Sequence, residues 1–185
     1  ILNHKTRPVH IVFSGKAHPN DDMGKSLVKK VIDICRDERF RGKIFFIEDY
    51  SIRVARHMVQ GVDLWLNTPR RPYEASGTSG EKVTANGVLN LSIADGWWPE
   101  GYNGSNGWTI GPLVTDYAEE VPNADEEDCQ SLYNLLENVI IPMFYDRDMS
   151  GLPVKWIETI KHAMMTLTPK FNTERMLIDY FNTMY

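Results

Sequence analysis

The sequence predicts an α/β fold, a parallel sheet flanked by helices, with a helical C-terminal third. Two observations carry this. Short β-branched or wholly apolar runs alternate with stretches of helical periodicity through the first 95 residues. Strands that are apolar without alternation belong to sheets covered on both faces, which is the signature of parallel pairing. The chain is one domain by the length prior: 185 residues, of which 42% are hydrophobic and 24% charged. That apolar content excludes an intrinsically disordered chain.

The elements follow in order. Val9–Phe13 is β-branched, ends at Ser14-Gly15 and reads as the first strand. Asn20, Asp21 and Asp22 supply side-chain acceptors for the free amides of a helix start, and their charge suits its positive end. Met23, Leu27, Val28, Val31, Ile32 and Cys35 then recur at helical spacing, and the helix closes near Asp37. Lys43–Ile47 is the second strand. Ile52, Ala55, His57, Met58 and Val59 mark a short helix, Val62–Leu66 the third strand and Val88–Ile93 the fourth. Ligands of such sheets sit in the loops beyond the carboxyl ends of the strands.

Residues 95–112 change character. Gly96, Gly101, Gly104, Gly107 and Gly111 are interleaved with Trp97, Trp98 and Trp108. This reads as an aromatic, glycine-rich loop segment (96–124), either a sugar-stacking or lid element or a packed surface loop. Residues 125–185 are helical. Leu132, Leu135, Leu136, Val139 and Ile140 mark one helix, entered through Asp125-Glu126-Glu127-Asp128. Trp156, Ile160, Ala163, Met164 and Leu167 mark a second, and Met176, Leu177, Tyr180 and Phe181 a third, with Pro142, Pro153 and Pro169 between them. The acidic run is read as a solvated first turn rather than a metal site, and no metal is expected.

The net charge of −5 excludes broad nucleic-acid binding. No run of about 18 apolar residues exists, so no membrane span is expected. Two cysteines, Cys35 and Cys129, make no disulfide framework, and a reduced, cytoplasmic chain is the default.

Glu74-Ala75-Ser76-Gly77-Thr78-Ser79-Gly80-Glu81-Lys82 is the segment richest in chemistry. Small residues let the backbone curl, so that successive amides converge at the start of a short helix and form an anion site, phosphate being the usual occupant. Thr78 and Ser79 add hydroxyls. Lys82 lies one helical turn from Thr78, on the same face, as a charge partner or a Schiff-base amine. Glu74 can accept from ligand hydroxyls. The pattern is neither a Walker loop nor a dinucleotide fingerprint. A plain glycine-rich turn is the bland alternative. Glu81 is expected to face solvent, and Arg70 and Arg71 to be surface arginines.

Glu74–Lys82 resembles the cofactor-lysine motif of the α-glucan (glycogen, starch, maltodextrin) phosphorylases. The resemblance extends over Phe13-Ser14-Gly15-Lys16-Ala17-His18-Pro19, Phe46-Ile47-Glu48-Asp49-Tyr50, Asn67-Thr68-Pro69-Arg70-Arg71-Pro72 and Asp95-Gly96-Trp97-Trp98-Pro99-Glu100-Gly101-Tyr102. These motifs are similar to the short bacterial and archaeal branch and cover nearly the whole chain in family order and spacing.

The resemblance implies a Rossmann-like lobe, the C-terminal lobe of the two-lobed GT-B glycosyltransferase architecture. It implies pyridoxal 5′-phosphate held as a Schiff base on Lys82, with the cofactor phosphate taking part in proton transfer. The implied reaction is reversible phosphorolysis of a terminal α-1,4-glucosidic bond, so the implied partners are α-1,4-glucan, inorganic phosphate and glucose 1-phosphate. By alignment, Thr78, Ser79, Gly77 and Tyr50 surround the cofactor with Lys82. Glu74, Ser76, Gly77 and the Ala75 amide meet the glucosyl hydroxyls, and Glu74 and Lys82 are the catalytic positions. Ser51 stands where the longer enzymes often carry arginine, which removes a cationic contact from that loop. The family's basic phosphate-binding motif and N-terminal lobe are not in this sequence. The chain is therefore expected to be an excised lobe that folds alone and is inactive alone; a homo-oligomer is left open. Two alternatives use the same features: a lobe of a nucleotide-sugar-dependent glycogen or starch synthase, which does not require Lys82, and a non-catalytic glycan-binding module built on the aromatic loop.

Overall fold

The computed structural model describes residues 1–113 and 124–185. The chain divides into two compact units, Ile1–Met58 and Val59–Tyr185.

In the first unit, β1 (Ile11–Ser14) and β2 (Ile44–Ile47) pair in parallel, with Ile11 opposite Ile44 and Ser14 opposite Ile47. The crossover between them is α1 (Asp22–Arg36). Its first turn is capped as the sequence predicts: the Asp21 carboxylate accepts from the Gly24 amide at 2.8 Å. The next helix, α2 (Ile52–Gly61), carries the boundary between the units. Ser51 caps it, its hydroxyl accepting from the Val54 amide at 3.4 Å. Ser51 thus has a local structural use.

The second unit is built on a three-stranded parallel sheet in the order β3 (Leu64–Asn67), β4 (Leu89–Ile93), β5 (Trp108–Ile110). All five residues of the central strand β4 are buried, including Asn90 and Ser92. Its sequence alternates, Leu89-Asn90-Leu91-Ser92-Ile93, but both faces of the strand are packed, so the polar positions are buried along with the apolar ones. Helix α3 (Thr78–Ala85) connects β3 to β4, and α4 (Trp98–Gly101) lies between β4 and β5. The last third carries α5 (Ala124–Leu135), a π-helical turn at Leu136–Ile140, α6 (Ile141–Tyr145), α7 (Val154–Leu167) and α8 (Thr173–Met184). The widened turn stands immediately before Pro142, whose missing amide cannot continue regular pairing.

The strands expected to form one sheet pair in two, β1 with β2 and β3 with β4 and β5. The aromatic segment differs from its sequence reading more deeply. It holds a helix and a strand, α4 and β5. Trp97, Trp98 and Trp108 are 4%, 0% and 9% exposed. Their rings are spent on packing: Trp97 meets Phe171 edge-on with centroids 4.8 Å apart, and Trp108 lies 5.7 Å from Trp156. They form the centre of the core with Leu89, Leu91, Ile110, Ile140 and Leu167, which rules them out as a stacking platform or lid. Residues 114–123 of the 96–124 segment lie outside the described residues. Cys35 and Cys129 are both free, and among the described residues no helix is long and apolar enough to cross a membrane.

Candidate functional site

Strand β3 ends at Asn67, and the chain then runs over its carboxyl end to α3. Arg70 and Arg71 open this loop. Arg70 pairs with Asp125 at the surface, in keeping with its surface reading. Arg71 does not: its side chain is 7% exposed, and its Nη2 donates to both carboxylate oxygens of Asp128 at 2.8 Å. Asp128 is 12% exposed by side chain and lies on α5. The acidic run read as a solvated turn therefore contributes a buried anchor for the loop. Its last residue faces inward because a 3.6-residue period turns one position of the first turn toward the core. Among the described residues no cluster of three or more histidines, cysteines, aspartates and glutamates could hold a metal ion.

The loop reaches α3 through Gly77, which adopts left-handed geometry at φ 82° and ψ 54°. This conformation is strained for any residue with a Cβ. A Cβ there would also lie 3.3 Å from the Glu74 Oε1. The Glu74 carboxylate is thereby placed against the backbone that opens the helix. The first amide of α3 to find an internal acceptor is Gly80, bonded to the Gly77 carbonyl at 3.3 Å. The amides of Thr78 and Ser79 precede it and lie in the part of a helix start that has no intrahelical acceptor. The Lys82 ammonium donates to the Thr78 hydroxyl at 3.2 Å, the one-turn relation expected from the sequence. Lys82, Thr78, Ala75 and Ser76 are exposed; Glu74, Gly77 and Ser79 are partly buried.

These seven residues are thus presented together at one helix start. Free first-turn amides, two hydroxyls and one amine are groups of the kind that hold phosphate at a helix start, and a carboxylate lies beside them. Glu81 departs from its expected position in solvent. It is half-buried, and burial pushes its carboxyl above the ordinary range, against the pull of Lys82 and Arg175 and reinforced by Glu100. Tyr50 belongs to the first unit and is described there by itself. It is exposed and follows Asp49, a residue at φ 55° whose carboxylate takes a 2.8 Å bond from Lys16. The Lys16–Asp49 ion pair joins the two loops that follow β1 and β2.

Sequence reading missed the floor of the loop. Asp95 is 3% exposed, and its Oδ2 accepts from the Glu74 amide at 2.9 Å. The Trp97 amide donates to the Ser76 carbonyl at 2.9 Å. Gly80 lies against the Trp97 indole so closely that a Cβ would fall 2.7 Å from Nε1. The available signal was an aspartate two residues beyond a strand, at the sheet edge where ligand loops gather.

The family model of the carbohydrate phosphorylases matches residues 2–100, more than half of the chain and the whole of this loop and helix. The chain belongs to the carbohydrate phosphorylase family. It is 50% identical over its full length to a glycogen phosphorylase of Aquifex aeolicus, 49% to a maltodextrin phosphorylase of Thermococcus litoralis and 43% to a glycogen phosphorylase of Mycobacterium tuberculosis. Its 185 residues span 26%, 21% and 21% of those proteins. The phosphorylase resemblance read from the motifs is therefore established at family level, and it holds beyond residue 100 as well.

Proposed function

We propose that this chain is the cofactor-bearing part of an α-glucan phosphorylase, catalysing reversible phosphorolysis of terminal α-1,4-glucosidic bonds to glucose 1-phosphate. One observation carries the proposal: the donor set at the start of α3, with Lys82 over Thr78 and Glu74 against Gly77, lies in a chain similar throughout to glycogen and maltodextrin phosphorylases. The parent would have two GT-B lobes, this chain forming the C-terminal one, and would work in the cytoplasm.

The residues present suit pyridoxal 5′-phosphate. Lys82 is an exposed amine on the face where the Thr78 and Ser79 amides open, and the left-handed Gly77 keeps that face clear of a Cβ. Lys82 would anchor the cofactor, with Thr78, Ser79 and the Gly77 backbone holding its phosphate. When bound, the cofactor supplies a phosphate that titrates near neutrality and so suits acid/base work at pH 7.

This chain's residues do the holding. The amides of Thr78 and Ser79 are fixed dipoles that need no reorganisation as charge develops. The Glu74 carboxylate and the Ser76 hydroxyl, with the Ala75 amide, orient the glucosyl hydroxyls, so that binding energy from parts of the sugar remote from the bond is used to position that bond.

The test is borohydride reduction of the full-length parent with pyridoxal phosphate, followed by peptide mapping. Label on Lys82 is expected. An adduct elsewhere, or none together with binding of a nucleoside-diphosphate glucose, overturns the proposal. The chain alone is expected to release no glucose 1-phosphate from maltodextrin and phosphate; release would refute that part.

A further inference from the structure

We infer that Asp95 is a positioning residue for glucosyl recognition, acting through the backbone of Glu74; this rests on the proposed sugar contact of Glu74. The buried carboxylate gives one oxygen to each side of a seam. Oδ2 accepts from the Glu74 amide and Oδ1 from the Gly96 amide, each at 2.9 Å. An ionised carboxylate only accepts, so it satisfies two opposed amides where any neutral side chain of that size brings a donor. Two residues along, the Trp97 amide donates to the Ser76 carbonyl at 2.9 Å and closes the same seam a second time.

The fit between the two sides leaves no slack. Gly96 stands at φ 59°, and a Cβ there would fall 2.4 Å from the Ser76 carbonyl and 2.9 Å from the Glu74 Cγ. The turn after β4 is thus the surface on which Glu74, Ala75 and Ser76 lie. Helix α3 has support of its own as well, since Val83 and Thr84 are buried. The consequence is a division of labour. Asp95 governs the sugar-contacting residues, while the cofactor-bearing helix is held by packing.

Asp95→Asn tests this in the full-length holoenzyme. Whichever way the amide is turned, one backbone N–H then faces an NH₂ group. With one charge-assisted bond lost, kcat/KM for glucose 1-phosphate should fall by roughly tenfold or more. In the same synthetic direction the KM for the maltodextrin acceptor should stay within about twofold, because the acceptor does not occupy the glucosyl site that Glu74 contacts. The cofactor's absorbance should be unchanged, while the thermal midpoint falls because a buried amide loses its acceptor. Gly96→Ala, which forces the same seam from the other side at a further cost in stability, should reproduce this selective loss if Asp95→Asn does not fold. A maltodextrin acceptor KM that rises alongside, a cofactor absorbance that falls with activity, or unchanged glucose 1-phosphate kinetics would make Asp95 structural and overturn the inference. Glu74→Gln separates the two levels. If it leaves glucose 1-phosphate kinetics untouched, the sugar contact itself is wrong. If it impairs them while Asp95→Asn does not, only the role of Asp95 is wrong.

Discussion

Removing the Asp128 carboxylate should be among the most destabilising single changes in the second unit, and removing its partner as well should undo most of the loss. Arg71 and Asp128 are 7% and 12% exposed, so neither charge can turn to water when the other is deleted. Among the described residues the Nε and Nη1 of Arg71 have no hydrogen-bond partner. In Asp128→Ala the whole guanidinium would be buried without an acceptor. Breaking a buried pair from one side costs about 3–5 kcal/mol, whereas replacing both members with apolar groups is often neutral or stabilising. The double variant Arg71→Met, Asp128→Ala should therefore unfold within about 1 kcal/mol of the parent sequence or above it. Urea unfolding followed by tryptophan fluorescence reads this directly, because all five tryptophans lie in the second unit. A single variant within about 1 kcal/mol of wild type would refute the reasoning, since it would mean that the guanidinium finds water. So would a double variant no better than Asp128→Ala.

Gly80→Ala should lower unfolding free energy by about 1–3 kcal/mol, although alanine is the better helix former, because its methyl meets the immobile Trp97 ring; the same urea assay checks it. Gly77→Ala should cost about 1 kcal/mol in stability through left-handed strain, and should weaken pyridoxal phosphate retention in a dialysis measurement on the parent. For Glu81 the folded carboxyl lies above its ordinary range, so the unfolded state loses its proton first and stability falls as pH rises through that window. Glu81→Gln should therefore be more stable than wild type at pH 7 and equal to it near pH 4. Equal stability at both pH values would show that Glu81 titrates normally.

Most of the fold was legible because local pattern and packing agree in it. The alternating run Leu89–Ile93, the capping Asp21 and the glycine-led start of α3 each state their structure within a few residues. Of the site, the one-turn relation of Lys82 to Thr78 follows from helix geometry alone. What stayed hidden depends on partners distant in sequence. Trp97 and Trp98 look like loop aromatics until Phe171 and Tyr102 are seen against them. Arg71 looks like surface charge until Asp128, 57 residues on, is brought to it. Asp95 carries no local sign that its carboxylate will be met by the Glu74 amide.

Those hidden contacts bear on how an acidic chain would present the proposed anion site. Its net charge is −5, and Lys82 is the only cation within the Glu74–Lys82 segment. Attraction for phosphate must then come from backbone dipoles, which act only if their direction is fixed. Trp97 fixes it from two sides at once. Its ring carries Gly80 of α3, and its amide holds the Ser76 carbonyl of the loop. The ring is itself held edge-on by Phe171, just beyond the end of α7, so the helical third is coupled to the loop through one residue. Rigid amides in place of added lysines keep the carboxylate of Glu74 available to sugar hydroxyls, since an extra ammonium beside it would compete as an ion-pair partner. The aromatic segment lies beneath this loop and helix, as the support on which the proposed phosphate donors and sugar acceptor would keep their separate directions.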